Sequence, residues 1–231
     1  MKKQLKTILI IVSIIAILGS LYYKVSLSES NKIDLHSKTL VLAPIFTESA
    51  YSKNGFYSYY NKECGKECLT VKINNTDPSQ MSSSRNAYKI FKEKQFHIIN
   101  DLQLDNNPNV LKNYSLLIVL HNEYVTEKEF KIITSFPNVI YLYPNALYAK
   151  VKNNNNESIT LLRGHGYPEG ITNGFNWRDD NTKYEFDRDC NNMFFYKVSN
   201  GYQLNCYPEY SMIAQIIWNR INSSENGANH S

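Results

Sequence analysis

Several signatures of known chemistry are missing from this sequence. There is no G-x-S-x-G, and the loops after the third and fourth expected strands carry no Ser or Cys at a tight turn, which excludes a nucleophile elbow. Gly164 and Gly166 in Arg163-Gly164-His165-Gly166 lack the spacing of a G-x-G-x-x-G fingerprint and precede no obvious helix, so the signal for a dinucleotide site is weak. No H-E-x-x-H or other zinc signature occurs, and there are no internal repeats. Surplus charge is also scarce. The formal net charge is +4 over 231 residues, and Lys2, Lys3 and Lys6 account for three of those charges. The remainder is close to neutral, which argues against a nucleic-acid partner.

Those three lysines precede an apolar segment, Ile8 to Tyr23, broken only by Ser13, Gly19 and Ser20. Its length is at the short end of the ~17–25 residues that span a bilayer. Basic residues before the segment and none within it predict a cytoplasmic N-terminus and an exported body. A cleaved signal peptide competes with this reading, but Ile17-Leu18-Gly19 is a poor A-x-A match and no lipobox cysteine lies nearby. An uncleaved anchor over 1–23 is therefore expected, followed by a polar tether over 24–37. A buried core helix is the weakest alternative, given the Met1-Lys2-Lys3 flank. The membrane is thus an expected partner, through this helix.

Cysteine use agrees with export. Cys64, Cys68, Cys190 and Cys206 allow two disulfides in three pairings. Cys64 and Cys68 flank a short loop, and Cys190 and Cys206 bracket a hairpin. Four thiolates on zinc are the alternative, but the second pair is too widely spaced to supply its half. Asn74, Asn113, Asn156, Asn222 and Asn229 open N-x-[ST] sequons, compatible with a glycosylated exterior.

Tyr114 to Ala149 carries the strongest fold signal. Leu116-Leu117-Ile118-Val119-Leu120 is an uninterrupted apolar run, the mark of a strand buried on both faces in a parallel sheet. Thr39–Ala43, Phe96–Ile99 and Val139–Tyr143 read as further strands, with Leu69–Ile73 as a short surface strand. Between them fall a helix capped at residues 82–84 and running to Lys94, a short helix opened by Pro108, and a helix capped by Thr126 with Glu129 completing a capping box. Lys152–Glu157 reads as a polar loop and Ile159–Leu162 as a fifth strand. Phe194–Val198 and Gln203–Tyr207 flank Asn200-Gly201 as a hairpin. Ser211 caps a last helix, and 223–231 reads as a disordered tail. The pattern predicts an α/β domain over 38–222 with a flavodoxin-like, doubly wound parallel sheet, a C-terminal β-hairpin and helix, and the N-terminal transmembrane helix.

Ligands bind such sheets at the carboxyl ends of the strands. Thr47 and Glu48 follow the first strand, His121, Asn122 and Glu123 the third, and Tyr143 and Asn145 the fourth. Arg163, His165 and Glu169 follow the fifth. His121, Glu123 and His165 form the candidate catalytic set, since His and Glu together supply acid–base chemistry. Glu48, Asn122, Asn145, Arg163 and Glu169 are the candidate ligand-binding residues for a small ligand of unknown identity. Glu123 bonded to helix N–H groups and His165 as a hinge in a Gly-rich turn is the structural alternative. No residue is assigned to a metal, and no cofactor is called for.

The opening Leu-Ala-Pro strand, Tyr114–Leu120, and Thr126-Glu127-Lys128-Glu129 leading a helix into a further strand resemble the class I glutamine amidotransferase-like superfamily, nearest its trehalose-utilisation-type and dimethylformamidase-like branches. The exported layout, with His121-Asn122-Glu123-Tyr124-Val125-Thr126 and Arg163-Gly164-His165-Gly166-Tyr167-Pro168, also resembles membrane-anchored archaeal proteins. The superfamily likeness covers residues 39–150 and, loosely, 159–221. It implies a flavodoxin-like sheet and a pocket at its carboxyl edge. Amidotransferases of the superfamily use a Cys nucleophile at a strand-to-helix elbow, where this chain has Tyr143-Pro144-Asn145-Ala146. The expectation is a ligand-binding domain without that nucleophile. The alternatives are a hydrolase of C–N or ester bonds using the His and Glu residues, metal-assisted or not, and an accessory subunit of a membrane complex.

Overall fold

A computed structural model of the chain describes residues 37–74, 83–177, 190 and 193–208, with positions 17 and 20 besides. Nearly all of the expected anchor and tether, the helix opened by Ser211 and the tail lie outside these residues. Among the described residues no helix is long and apolar enough to cross a membrane.

The apolar runs form one parallel-rich sheet. β1 (Thr39–Ala43) is buried at every position. It lies between β3 (His97–Asn100) and β4 (Leu116–Val119), parallel to both. β6 (Val139–Tyr141) joins β4, and β10 (Gly201–Leu204) joins β6, again in parallel. β9 (Phe195–Val198) closes the edge antiparallel to β10, giving the order β3-β1-β4-β6-β10-β9. From β1 the chain winds first towards β3, then returns to β4 on the other side. The switch point of the sheet therefore lies between β1 and β4.

A second sheet has the order β2-β8-β7-β5, from β2 (Thr70–Lys72), β5 (Tyr124–Thr126), β7 (Ala149–Asn154) and β8 (Ser158–Arg163). This corrects two expectations. The strand at Ile159–Leu162 is not the fifth parallel strand. It is β8, paired antiparallel with β7 and β2. Its alternating burial fits a strand covered on one face, whereas a central parallel strand is buried on both. The fifth parallel position belongs to β10, one edge of which pairs with β6 while the other completes the expected hairpin. The Asn run is likewise not all loop. Lys152–Asn154 extends β7, and Asn155 and Asn156 turn the chain at φ 53° and 67°, a region Asn tolerates better than most residues.

Helices α1 (Ile45–Ala50), α2 (Phe56–Tyr60), α3 (Arg85–Glu93), α4 (Asp101–Asn106) and α5 (Glu127–Ser135) fill the connections. Pro108–Asn113 is a 3₁₀ turn. The Thr126–Glu129 capping box forms as expected, and Asn100 and Gln103 make a second one on α4. Leu40, Leu42, Leu117, Val119, Leu104 and Ile133 pack in one apolar cluster. Phe46, Phe56, Val71, Tyr124, Val151 and Ile159 pack in another, linking α1 and α2 to the second sheet.

The cysteines pair as Cys64–Cys68 and Cys190–Cys206, with Cα separations of 6.2 and 5.2 Å, and none is free. Disulfides, not zinc, are therefore the outcome for the thiols. A sharp local constraint holds β10. A Cβ on Gly201 would fall 1.8 Å from the Val139 carbonyl oxygen. Gly201→Ala should separate β10 from β6 and cost at least ~2 kcal/mol of stability, read as a lower denaturant midpoint. An unchanged midpoint would contradict this close approach.

Candidate functional site

Two carboxylates organise the switch point. Pro44 caps α1 without a side-chain bond, leaving the first N–H groups of the helix to outside acceptors. Asp101, at the carboxyl end of β3, accepts the Phe46 N–H at 2.8 Å and also bonds the Asn122 side-chain amide. One buried carboxyl thus ties α1, α4 and the segment after β4 together. Thr47 on α1 strengthens the join, since its hydroxyl accepts the N–H groups of Glu123 and Tyr124 at 2.9 and 3.2 Å. Further bonds run from Leu147 N–H to the Asn122 carbonyl and from Ala149 N–H to the Glu123 carbonyl, at 2.8 and 2.9 Å. The chain at His121–Glu123 has little freedom.

Glu123 is the centre of the site and is fully buried. One carboxylate oxygen accepts the Tyr51 hydroxyl, and the other bonds His165 Nε2. His121 Nε2 lies 3.8 Å from the first of these oxygens. The His121 ring stacks on Tyr143 at 4.8 Å between centroids and 18° between planes. His165 reaches Glu123 from the second sheet. It follows β8 in a loop where Gly164, His165 and Gly166 all have positive φ, at 121°, 53° and 80°. Gly164 also packs against Ala149, where a Cβ would meet backbone at 2.9 Å.

Burial by itself raises a carboxyl pKa. At Glu123 that effect is outweighed by His165, through its charge and hydrogen bond, then by His121 and the Tyr51 hydroxyl, so the group sits below the ordinary carboxylate value. Burial pushes His121 the other way, towards the neutral imidazole, against the pull of Glu123, Asn145 and Glu48. Tyr51 is held well above the usual phenol range by burial and by the Glu123 charge, so it remains a donor. Because an ionised Glu123 can only accept, His165 Nε2 is the donor in their bond.

Asp101 and Glu129 form a second, different pair. Both are fully buried. Burial raises Asp101 to about 7, against the Phe46 N–H, the Asn122 amide and the Glu129 hydrogen bond. Glu129 is pushed well above the carboxylate range by burial and then by the Asp101 charge. The two act as a carboxyl–carboxylate pair holding a proton.

The expected site residues separate into three groups. His121, Glu123 and His165 are brought together, although His165 arrives from the other sheet and not from a fifth strand of the same rim. Glu48, on α1, and Asn145, in the segment after β6, are both close enough to favour the charged form of His121. Glu48 accepts the Ser83 N–H and hydroxyl at 3.4 Å. Asn122, Arg163 and Glu169 are placed elsewhere. The Asn122 amide turns to Asp101. Arg163 reaches Asn176 at 3.5 Å. Glu169 is exposed on the loop. Among the described residues no group of three His, Cys, Asp or Glu is arranged to hold a metal ion.

The sequence reading passed over Tyr51 and Asp101. Asp101 was within its reach, because it stands at the end of a parallel strand. Tyr51 had no signal, since it meets Glu123 across 72 residues of chain.

The shifts set opposite pH dependences. Asp101 and Glu129 have raised folded pKa values, so their proton stabilises the fold fully below the unfolded value of ~4. That contribution is lost as pH rises to about 7. Glu123 is lowered, so its contribution is full above the ordinary value and is lost as pH falls below it. Denaturant midpoints should therefore fall between about pH 4.5 and 7.5, and Asp101→Asn should flatten that slope. Equal slopes in the two proteins would refute the shared proton. Compared with protein-family models and with curated protein sequences, the chain matches none.

Proposed function

We propose that this chain is a membrane-anchored, extracytoplasmic domain that binds a small ligand at the carboxyl edge of its parallel sheet. Its fold is flavodoxin-like, of the glutamine amidotransferase-like kind, without the Cys nucleophile. The parallel strands support the fold reading. Counted in chain order they lie 2-1-3-4-5, the flavodoxin-type order. Two disulfides support an oxidising compartment.

One observation carries the ligand reading. An ionised carboxylate is buried at the switch point and held by groups from three separate segments. Burying a carboxylate costs several kcal/mol unless it is paired, and a well-packed apolar group would serve stability as well. Perturbed, partnered ionisable groups of this kind concentrate at functional sites. The test is a panel of small carboxylates, amides, amines and sugars added to the full chain in detergent, followed by histidine ring NMR. A ligand class should move the His121 and His165 signals and leave His97, on β3, unmoved. If no class does so, the reading fails.

The hydrolase reading is favoured by the His165–Glu123 bond. Glu123 orients the ring and would stabilise the imidazolium that forms when the imidazole takes a proton from water attacking a carbonyl carbon. With ester and amide probes, Glu123→Gln and His165→Asn should each lower kcat/KM by about 10²–10⁴-fold while the circular dichroism spectrum is retained. Unaltered rates in both variants would leave binding alone.

A further inference from the structure

We infer that the site around Glu123 recognises a methylated ammonium group, and that the His165 ring occupies the place this group would take. The inference rests on the reading of the sheet edge as a ligand site and names the chemistry of that ligand.

The surroundings of the His165 ring carry the argument. Tyr148, Tyr60, Tyr124 and Tyr57 lie with their centroids 4.7, 5.4, 5.5 and 6.3 Å from its own. Tyr124 is stacked on it, at 22° between planes, and the other three are tilted by 38–60°. Glu123 completes the enclosure through its bond to Nε2. Ring faces attract a cation within ~6 Å, and a buried carboxylate requires a positive partner. A cation in this place pairs with Glu123, and an anion would be repelled by it. The walls are mainly aromatic rings. That composition fits a cation with an apolar skin, which cannot be solvated through N–H donors, better than a bare ammonium. The imidazole, itself cationic when protonated, is a built-in example of such a group.

The occupant is also on a loop able to withdraw it. The backbone bonds from Gly164 N–H to Tyr167 O, His165 N–H to Thr172 O and Gly166 N–H to Ile171 O, at 2.7, 2.8 and 2.8 Å, all close within the loop. A Cβ on Gly166 or Gly170 would meet nothing within 4 Å. The loop therefore has open space at these two glycines. The imidazole and the Tyr167 ring, which lies 5.8 Å from Tyr59, are two of its ties to the body. Swinging the ring out breaks no sheet hydrogen bond. An occupied site lowers the apparent affinity for a competitor in proportion to the time it is filled, so removing the occupant should strengthen binding.

The full chain with disulfides intact is titrated calorimetrically with choline and with its neutral isostere 3,3-dimethylbutan-1-ol, and histidine ring NMR is recorded in parallel. Choline should bind at least about tenfold more tightly than the isostere and shift the His165 signal. His165→Ala should bind choline several-fold more tightly than the unaltered chain, and Tyr148→Ala more weakly. Equal affinities for choline and the isostere overturn the cation preference, and this comparison needs no variant. An affinity unchanged in folded His165→Ala overturns the role of the ring as occupant. If carboxylates or neutral amides shift His121 and His165 while choline does not, the ammonium inference falls and the ligand site stands. If no compound shifts either ring, both fall.

Discussion

An ionised carboxylate buried between two sheets is the constraint on which the rest of this structure turns. Glu123 leaves water completely and remains charged because Tyr51, His165 and His121 replace its hydration. Those partners come from the stretch after α1, from the loop after β8 and from the end of β4. Satisfying one side chain thus fixes the relation of the parallel sheet to the antiparallel one. β5 follows Glu123 directly and pairs with β7 in the second sheet, so the same carboxylate marks a point where the chain passes from one sheet to the other.

Beneath it, Asp101 and Glu129 solve the same problem by a different means. Burial keeps a proton on the pair there, and the charge is removed instead of matched. The pair supports the site indirectly. Asp101 holds Asn122 and the first turn of α1, while Thr47 on that helix holds the backbone of Glu123 and Tyr124. One acid is kept charged next to histidines and the other is kept protonated away from them.

How much of this was legible in the sequence varied with the range of the forces involved. Thr39–Ala43 and Leu116–Leu120 are continuous apolar runs, and a doubly buried strand needs nothing further to be recognised. Thr126 and Glu129 show a capping box because its bonds span three residues. The fifth parallel strand was misassigned because Ile159–Leu162 looks apolar, whereas Gly201–Leu204 looks like half of a hairpin. It is half of a hairpin, but its other edge is filled by β6, and Gly201 is what lets the two backbones approach. The contents of the site divided in the same way. His121 and Glu123 follow from strand-end reasoning, but Tyr51 and the tyrosine walls around His165 carry no local signature.

By itself, the sequence determined the α/β class, four of the five parallel strands (β1, β3, β4 and β6) and the edge at which to look for chemistry. These depend on apolar periodicity and on contacts a few residues apart. Tertiary structure alone decided that His165 meets Glu123 from a second sheet, that Asn122 serves Asp101, and that each cysteine pairs within its own half of the chain. It also decided the charge state of every buried acid. The physical reason is that desolvation and pairing are set by neighbours in space, and those neighbours lie 42 residues away for His165 and 72 for Tyr51.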